Sequence, residues 1–499
     1  MKKIDLDSKP LHFIGIGGIG MSALAQVVAQ NNERVSGSDV RSNHITERLE
    51  SLVTKIFYHQ EAQNLASITD NITSHQLTTP LSSSSASNKK QQPVTILDLA
   101  VEEKNTVLPQ IVCSTAIAKT NPEYQAALAR GCPIFHRSDV LSALIDRYYS
   151  IAVSGTHGKT TTSSLISFLF LQAGLDPTII VGGEVDAWDG NARVGKSKYL
   201  VAEADESDGS LVKHSPAVGI ITNIELDHPD RYQSLEQVIE IFQTFAHQCQ
   251  TVIGCVDDEI VKQNIEIDIS YSLNPESNAD YVAKNIKYGS QNTQADIWEK
   301  GQLLGNLTIQ LLGHHNLSNA LSAIAVGRNV GLEFSVIAQG LAGFSGTKRR
   351  FELKGEANQI EFIDDYAHHP SELVATLAAA KLRREDRSNK RVIAVFQPHR
   401  YSRTQTFMAE FATAFQDADV VVITDIYSAG EAKIDNVSAQ QLVTQISSHH
   451  SQAYYHNSLK SLPSFLQQKI LQPGDLVMFL GAGNLNQYIA KTIALYSPQ

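Results

Sequence analysis

Two glycine-rich turns, each between a short apolar strand and a helix with apolar spacing, constrain the fold of this chain most strongly. Residues 15–20 follow the apolar run LHFIGI, and residues 155–161 follow the run YSIAVSG. A helix that packs back on its own strand leads the chain into a second, parallel strand, so both turns predict parallel α/β units. The same alternation recurs after residue 345, in the strands RVIAVFQ and DLVMFLGAG and the helix PSELVATLAAAKLRR. The sequence therefore predicts an α/β protein throughout.

The chain is long enough for three domains, because its 499 residues exceed what one ordinary core supports. Changes in the pattern place these domains at residues 1–148, 149–344 and 345–499. We expect a Rossmann-like first domain, a central domain similar to phosphate-loop ATPases, and a Rossmann-like third domain. Within the first domain, a Ser-rich polar stretch at about residues 67–98 loses all periodicity. That composition indicates a flexible surface insertion.

Composition and charge exclude several classes of protein. The net charge of −11 disfavours a broad nucleic-acid-binding surface. No stretch reaches the ~18 apolar residues of a membrane span, and the N-terminal apolar run is too short for a signal peptide. The four cysteines are scattered without a CxxC pair, which is typical of reduced thiols. We therefore expect a cytoplasmic protein whose partners are small molecules, without nucleic acid or membrane.

The second glycine turn, with the sequence GTHGKTT, predicts a site for a nucleoside triphosphate. Such a ligand needs inward-pointing backbone N–H groups, a lysine beside the outer phosphates and a hydroxyl for Mg²⁺. Gly158, Lys159 and Thr160 supply these groups. The match to G-x-x-x-x-G-K-[ST] is imperfect, because Val153 occupies the first glycine position and a glycine stands at residue 155 instead.

Two acidic clusters follow the next two apolar strands of the central domain. Carboxylates at neighbouring strand ends, beside a phosphate loop, predict a magnesium site, although each acid alone could be an ordinary solvated loop residue. The candidates are Glu203, Asp205, Glu206 and Asp208 in the first cluster, and Glu225, Asp227, His228 and Asp230 in the second.

The first glycine turn fits the G-x-G-x-x-G fingerprint, and Asp39 lies about twenty residues further on. Such a turn places a diphosphate at a helix N-terminus with an acid near a ribose. A nicotinamide dinucleotide and a UDP-sugar share these parts, so the pattern leaves both ligands open.

Polar side chains also follow two strands of the third domain. Arginines at the carboxyl ends of strands suit a carboxylate or a phosphate. The segments are DDYAHHPSE, with Asp364, Asp365, Tyr366, His368 and His369, and FQPHRYSRT, with His399, Arg400 and Arg403.

Taken together, these motifs resemble the Mur ligase family of peptidoglycan synthesis. The resemblance runs from residue 11 to residue 484 and rests on GIGGIGMSALA, GTHGKTTT, EADESD, TNIELDH, GHHNLSNALSAIAV, GTKRRFE, DDYAHHPSE and QPHRYSRT. It implies three domains that bind a UDP-sugar, ATP and an incoming amino acid. It also implies ATP- and Mg²⁺-dependent ligation through an acyl phosphate. Within the family, GIGGIGMS and QPHRYSRT favour L-alanine and UDP-N-acetylmuramate as substrates, in a monomer or homodimer.

The resemblance also implies roles for individual residues. The UDP-sugar would lie against Gly15, Gly17, Gly18, Gly20, Met21 and Asp39, and ATP against Gly155, Thr156, His157, Gly158, Lys159, Thr160, Thr161 and Asn316. Magnesium would be held by Thr160, Glu203 and His228. Catalysis would involve Lys159, Glu203, His228, Arg350 and Asp365, and the amino acid and acyl phosphate would lie near Tyr366, His368, His399, Arg400 and Arg403. Tyr58 stands where the family usually has a glycine, which leaves a uridine contact of His59 open.

Three other functions can be weighed against this one. A sister ligase would attach a ready-made peptide to the same sugar, but it resembles neither GIGGIGMS nor QPHRYSRT closely. An NAD-dependent oxidoreductase would explain the first turn and leave GTHGKTT and both acidic clusters without a role. A non-catalytic phosphate-loop module would leave the His and Arg clusters of the third domain without one.

Overall fold

The computed structural model describes residues 3–32, 34–75, 107–384 and 391–496, with side chains left out for residues 69–75. The chain divides into two compact units, Met1–Ala143 and Leu144–Gln499. Most of the Ser-rich stretch predicted as an insertion lies outside the described residues. Its first part, up to residue 75, continues a helix, so the prediction of irregular chain from residue 67 was wrong there.

The first unit is built on one parallel sheet. Its strands are β1 (Leu11–Ile14), β2 (Val35–Ser38), β3 (Lys55–Phe57), β4 (Gln110–Cys113) and β5 (Ile134–His136), and its helices are α1 (Ile19–Ala29), α2 (His44–Leu49), α3 (Ala62–His75), α4 (Pro122–Ala129) and α5 (Arg137–Ile145). The strand order is β3-β2-β1-β4-β5, and every neighbouring pair is parallel. The order reverses at β1, so the first glycine turn lies at the switch point where open α/β sheets bind ligands.

The central part of the second unit is a ten-stranded sheet. Its strands are β6 (Tyr149–Ser154), β7 (Thr178–Val185), β8 (Gly190–Arg193), β9 (Tyr199–Glu203), β10 (Val218–Ile221), β11 (Thr251–Cys255), β12 (Ile269–Ser272), β13 (Tyr281–Tyr288), β14 (Thr293–Glu299) and β15 (Gln302–Ile309); its helices are α6 (Lys159–Gln172), α7 (Leu235–Gln248), α8 (Glu259–Asn264), α9 (His314–Asn329) and α10 (Phe334–Ala342). In the order β15-β14-β13-β12-β11-β10-β6-β9-β7-β8, strand β6 lies between the parallel strands β10 and β9.

The C-terminal part of the second unit is a six-stranded sheet in the order β16-β17-β21-β18-β19-β20. Its strands are β16 (Glu352–Ala357), β17 (Ile360–Asp365), β18 (Val392–Phe396), β19 (Val420–Thr424), β20 (Ala453–His456) and β21 (Leu476–Leu480), and its helices are α11 (Pro370–Arg384), α12 (Tyr401–Thr406), α13 (Met408–Thr413), α14 (Ala439–Ser447), α15 (Leu462–Phe465) and α16 (Ile489–Ala494).

The prediction of parallel α/β domains is confirmed in the first unit and in the inner strands of the other two sheets. Antiparallel pairing occurs at their edges, where β7 pairs with β8, β13 to β15 form a meander, and β16 pairs with β17. Parallel strands need a crossover segment, whereas a short turn suffices for an antiparallel pair. The antiparallel edge strands therefore widen the two sheets without the crossover helices that further parallel strands would need.

The central sheet buries its apolar side chains under α6 and α9, which also contact each other. Leu165, Ile166 and Leu169 of α6 and Leu317 and Leu321 of α9 are fully buried. Burial of each such side chain contributes about 1.5–3 kcal/mol. This core fixes the N-terminal ends of both helices at one edge of the sheet.

The helices and the cysteines can be compared with what the composition predicts. Within the described ranges, every helix is too short or too polar to cross a lipid bilayer. All four cysteines fall inside these ranges and are free thiols.

Candidate active site

The phosphate loop leaves β6 at Ser154 and enters α6 at Lys159. Its backbone is fixed on the segment after β10: Thr156 N donates to Asn223 O at 3.0 Å, and His157 N donates to Asn223 Oδ1 at 2.8 Å. Gly158 caps α6 with a φ of +82°, and a Cβ there would lie 2.6 Å from Asn319 Oδ1. Only glycine combines this backbone conformation with that approach. The N-terminus of α6 thereby stays open to an anion.

Lys159 is held at the loop by three acceptors. Its Nζ donates to Gly155 O at 2.7 Å, to Thr156 O at 3.0 Å and to the Glu206 carboxylate at 2.9–3.0 Å. Burial by itself would lower the pKa of Lys159, but Glu206 and the neighbouring Asp205 outweigh it and raise the pKa. Burial also raises the pKa of Glu206 to about 7. Glu206, one acid among several in its cluster, is therefore the specific counterion of Lys159.

The three predicted magnesium ligands lie around the same loop. Register places Glu203 opposite Val153 at the end of β6, and Gly182 N donates to Glu203 Oε2 at 2.8 Å. A Cβ on Gly183 would lie 3.0 Å from the Thr160 methyl group, so Thr160 and Glu203 flank the same stretch of backbone.

His228 follows the second acidic strand end with a left-handed φ of +56°. Burial lowers the pKa of His228; Asp227 and Asp205 oppose this effect, whereas Arg403 and Lys159 add to it. The His228 imidazole, the Glu203 carboxylate and the Thr160 hydroxyl come from three different segments and are donors that fit a divalent cation.

A cavity of about 920 Å³ opens between the central and C-terminal parts of the second unit. Its size is typical of a small-molecule site. Predicted residues that line it are His157, Gly158, Thr161, Asn316, Arg350 and Asp365. Asn316 donates to Leu312 O at 2.8 Å and lies in the first turn of α9, across the cavity from the C-terminal residues. Asn319, which the sequence did not single out, lines it as well.

Asp365 is buried and orients the turn that carries Arg350. Its carboxylate accepts from Phe351 N at 2.7 Å and from Ala367 N at 2.8 Å. Arg349 and Phe351 have left-handed φ values of +61° and +52°, so these bonds hold a strained turn. Burial raises the pKa of Asp365. Asp365 therefore acts on Arg350 both through the backbone of this turn and through the attraction between the two charges.

Glu372 is a functional candidate that the sequence did not identify. Its Oε2 accepts from His368 N at 2.9 Å and from His369 N at 3.2 Å, while Oε1 lies 3.4 Å from His157 Nδ1 and 3.8 Å from Arg350. Burial alone would raise the pKa of Glu372, but His368, His157 and Arg350 hold it well below its usual range. The sequence did contain a signal for Glu372. A glutamate in the first turn of a helix, here α11, often accepts hydrogen bonds from the N–H groups just before the helix, as in a capping box.

The residues predicted around the amino acid are brought together. The ring centroids of Tyr366 and His368 are 5.4 Å apart, those of His368 and His399 are 5.9 Å apart, and Arg403 lies 3.2 Å from His399 Nδ1. Burial, followed by nearby cations, lowers the pKa of His399 to about 3. These imidazoles are therefore neutral near pH 7 and can accept a hydrogen bond.

Both arginines of this cluster pair with acids of the central part. Arg403 is fully buried, and its Nε and one terminal nitrogen donate to Asp227 Oδ1 at 2.9 and 2.8 Å. Arg400 donates to Asp230 Oδ2 at 2.7 Å and is more exposed. Burial opposes ionisation of Asp227, but Arg403 keeps its pKa well below the usual range. The segment that carries His228 is thus tied to the C-terminal cluster.

In the first unit, the glycine turn and Asp39 are directly bonded. Gly17 N donates to Asp39 Oδ2 at 2.9 Å, and Gly15, with a φ of +81°, donates to Ser38 O at 2.8 Å. Gly18 is the N-cap of α1, so Gly20 and Met21 already belong to the helix. The Met21 side chain is buried, which leaves its backbone rather than its side chain at the turn. His59 follows β3, with its ring centroid 6.0 Å from that of Phe57.

Comparison with known sequences matches family models along almost the whole chain. Residues 10–149 match "Mur ligase family, catalytic domain", residues 153–327 match "Mur ligase middle domain", and residues 349–483 match "Mur ligase, glutamate ligase domain".

Individual relatives extend this similarity to the full length. The UDP-N-acetylmuramate–L-alanine ligase of Gloeothece citriformis is 60% identical over 494 residues, which cover 99% of each chain. That of Microcystis aeruginosa is 57% identical over 499 residues, covering 100% of this chain and 98% of the relative. The crystal structure of a UDP-N-acetylmuramate–alanine ligase from Thermotoga maritima superposes with a TM-score of 0.76 at 26% identity, covering 98% of this chain and 99% of that one.

Proposed function

Because the chain belongs to the Mur ligase family, we propose that this enzyme joins L-alanine to the carboxylate of UDP-N-acetylmuramate while ATP is cleaved to ADP and phosphate. The observation that carries the proposal is the cavity in which the phosphate loop faces Arg350, Asp365 and Glu372. Full-length identity to relatives that bear this activity in their names supports the choice of substrates. Residues 1–148, 149–344 and 345–499 would bind the sugar nucleotide, ATP and alanine.

ATP would lie with its triphosphate on residues 155–161. The loop N–H groups and the Lys159 ammonium would offset the phosphate charge, and Asn316 would lie near the adenine. Thr160, Glu203 and His228 would hold Mg²⁺, which supplies further positive charge to the phosphates. Glu206 keeps Lys159 at the loop, since it bonds the ammonium at 2.9–3.0 Å.

Ligation would proceed in two steps. An oxygen of the sugar carboxylate attacks the γ-phosphorus, the bond to the β-phosphate oxygen breaks, and an acyl phosphate and ADP result. The amine of alanine then attacks the acyl carbon, and phosphate leaves as the amide forms. Arg350 would stabilise phosphate charge, with Asp365 orienting it. Tyr366, His368, His399, Arg400 and Arg403 would surround alanine and the acyl phosphate, and the neutral imidazoles could accept a proton from the attacking amine.

The sugar nucleotide would bind the first unit at residues 15–20. The N–H groups at the start of α1 suit a diphosphate, and Asp39 suits a ribose hydroxyl. Gly15, Gly17, Gly18 and Gly20 allow the close approach, while Met21 would contribute through its backbone.

Phosphate release tests the proposal. We expect release only when UDP-N-acetylmuramate, L-alanine, ATP and Mg²⁺ are all present, with mass spectrometry showing a sugar nucleotide extended by one alanine. Equal turnover with a tripeptide in place of alanine would instead identify the peptide-attaching sister ligase. Sugar-dependent oxidation of a nicotinamide cofactor would identify an oxidoreductase.

A further inference from the structure

Three side chains outside the proposed magnesium ligands converge beside the phosphate loop. His157 belongs to the loop, Glu225 follows β10, and His369 immediately precedes α11. One donor atom of each lies within 4.8 Å of the other two. Glu225 Oε2 lies 3.5 Å from His157 Nε2 and 3.7 Å from His369 Nδ1. The set therefore joins the central sheet to the first helix of the C-terminal sheet.

Two of these donors are held in place by further side chains. His157 Nδ1 lies 3.4 Å from Glu372 Oε1, which leaves its Nε2 directed toward Glu225. Ser371 Oγ donates to Glu225 Oε2 at 2.7 Å. A metal-binding histidine usually donates its second ring nitrogen to a carboxylate in this way. The outer contacts that orient metal ligands are thus already present.

The imidazoles also have unused donor capacity. Nε2 of His157, the nitrogen that faces Glu225, is buried and has no partner in hydrogen-bond geometry among the described residues. At His369 the nitrogen that faces Glu225 is Nδ1, which accepts only a long bond of 3.4 Å from Ser371 N. Buried polar atoms normally have partners, and an unpaired one calls for an explanation such as an ion.

The charge of the cluster favours a cation. Burial alone would lower the pKa of His157, but Glu225 and Glu372 raise it to about 10. Burial would raise the pKa of Glu225, yet His157 and its other partners lower it to about 2. Two carboxylates, those of Glu225 and Glu372, lie 3.5 and 3.4 Å from the His157 ring, so the cluster offers negative charge that a bound cation would offset.

We propose that His157, Glu225 and His369 form a site for a first-row transition-metal dication such as Zn²⁺, separate from the magnesium ligands. Two imidazoles and one carboxylate are donors that suit such ions, whereas Mg²⁺ prefers oxygen. Metal–donor distances of about 2.0–2.2 Å place tetrahedral donors roughly 3.4 Å apart, close to the two separations from Glu225. The bound ion would link the phosphate loop to α11 and stabilise the second unit. This inference does not depend on the ligation chemistry.

Zinc binding to the full-length chain tests the site directly. Competition with a chromogenic chelator should reveal one tight Zn²⁺ site, with affinity at least about tenfold lower in His369→Ala and in Glu225→Gln. Glu225→Gln keeps an oxygen for the Ser371 hydroxyl and removes the anionic ligand. Two control variants should keep the parent affinity: His449→Ala removes an exposed histidine, and Glu203→Gln alters a proposed magnesium ligand.

Thermal unfolding provides a second readout. Zn²⁺ should raise the melting temperature of the parent and of both controls but not of the two site variants, because only a folded site binds it. If His369→Ala fails to fold, Glu225→Gln decides alone. Unchanged zinc affinity in Glu225→Gln, or loss of zinc binding in Glu203→Gln, would overturn the assignment.

Discussion

Gly158 and Gly174 flank α6, and both adopt left-handed backbone conformations, with φ values of +82° and +72°. They differ in what a side chain would meet. A Cβ on Gly158 would lie 2.6 Å from Asn319 Oδ1, whereas a Cβ on Gly174 would meet nothing within 4 Å. Gly158→Ala should therefore displace Asn319 and the phosphate loop, and lower ATP affinity by more than about tenfold, or 1.4 kcal/mol. Calorimetric titration with a non-hydrolysable ATP analogue measures this.

Gly174→Ala is the matched control. It has the same backbone cost of about 1–2 kcal/mol in stability but should leave ATP affinity unchanged. Equal loss of affinity in both variants would mean that backbone strain, and not contact with Asn319, governs the loop.

At the residue scale, the sequence identified the segments that carry the candidate functional side chains but not which of these side chains contact one another. GTHGKTT predicted a phosphate loop at the start of α6, and the structure places the acidic segments at the ends of β9 and β10, the two strands that flank β6. Which acid contacts Lys159 depends on where the backbone turns after β9, and that choice of Glu206 follows from packing. Asn319 and Glu372 reach the loop from α9 and α11, over distances that local pattern does not encode.

Helix α12 is tied to the segment after β10 by a buried ion pair. Arg403 and Asp227 are 2% and 6% exposed in their side chains. Removal of one partner from a buried pair commonly costs about 3–5 kcal/mol, because the other charge stays buried and unpaired. We therefore expect Arg403→Met to lower the free energy of unfolding by that amount in chemical denaturation.

Arg400→Met serves as the control, because the pair between Arg400 and Asp230 is 30% and 37% exposed. It should cost about 0–1 kcal/mol. Combining Arg403→Met with Asp227→Asn should recover part of the lost stability, since no charge then remains buried. If the double variant were less stable than Arg403→Met, the buried charge would not be the cause.

The antiparallel edge strands show which structural features the sequence pattern predicts and which it does not. β14, with the sequence TQADIWE, alternates between buried and more exposed residues, which is typical of a strand with one solvated face. The turn into β15 uses Lys300 and Gly301 with φ values of +46° and +79°, a hairpin conformation. The meander was thus readable, but the strong parallel signal of β6, β9 and β10 directed the prediction toward a uniform sheet. Sheet order, by contrast, is set by packing and could not be read locally.

Across the whole second unit, buried neutral histidines make stability depend on pH. Burial lowers the pKa of His399 to about 3, with help from nearby cations, and lowers that of His368 to about 4 although Glu372 opposes it. Both groups bind fewer protons when folded than when unfolded, so their contribution is full above pH 6.5 and falls as the pH drops. As the pH falls from 6.5 to 4.5, each of these two histidines should lower the free energy of unfolding by roughly 2–3 kcal/mol.

His399→Gln should remove the part of this loss that belongs to His399, roughly 2–3 kcal/mol, as measured by denaturation at several pH values. His157 does not interfere, because its raised pKa contributes stability that is lost only as the pH rises above 6.5 toward 10. His449→Gln, at an exposed position, is the control and should leave the slope unchanged. If the free energy of unfolding of His399→Gln depended on pH as steeply as that of the parent, His399 would not be buried as a neutral base.

The two glycine turns lie in different compact units, so their ligands should be lost independently. Lys159→Ala should lower turnover by about a thousandfold and weaken ATP binding, while affinity for the UDP-sugar stays within about threefold of the parent. A Cβ on Gly17 would lie 2.8 Å from the Thr46 methyl group and 2.9 Å from Asp39 Oδ2. Gly17→Val should therefore abolish UDP-sugar binding and spare ATP. Calorimetric titration of each variant with ATP and with the UDP-sugar checks both expectations. If Lys159→Ala lost only UDP-sugar binding, the assignment of the two turns would have to be reversed.

Within the described residues, each of the three sheets is formed by strands that are consecutive in the chain, namely β1 to β5, β6 to β15 and β16 to β21. During translation, a nascent chain needs no later segment to complete the hydrogen bonding of an earlier sheet. The first sheet can close while the ribosome is still adding the second, and domains of this kind generally fold in that order. The cavity, in contrast, needs residues up to Arg383 and is completed only late in synthesis. A truncated product would thus carry folded sheets without an assembled active centre.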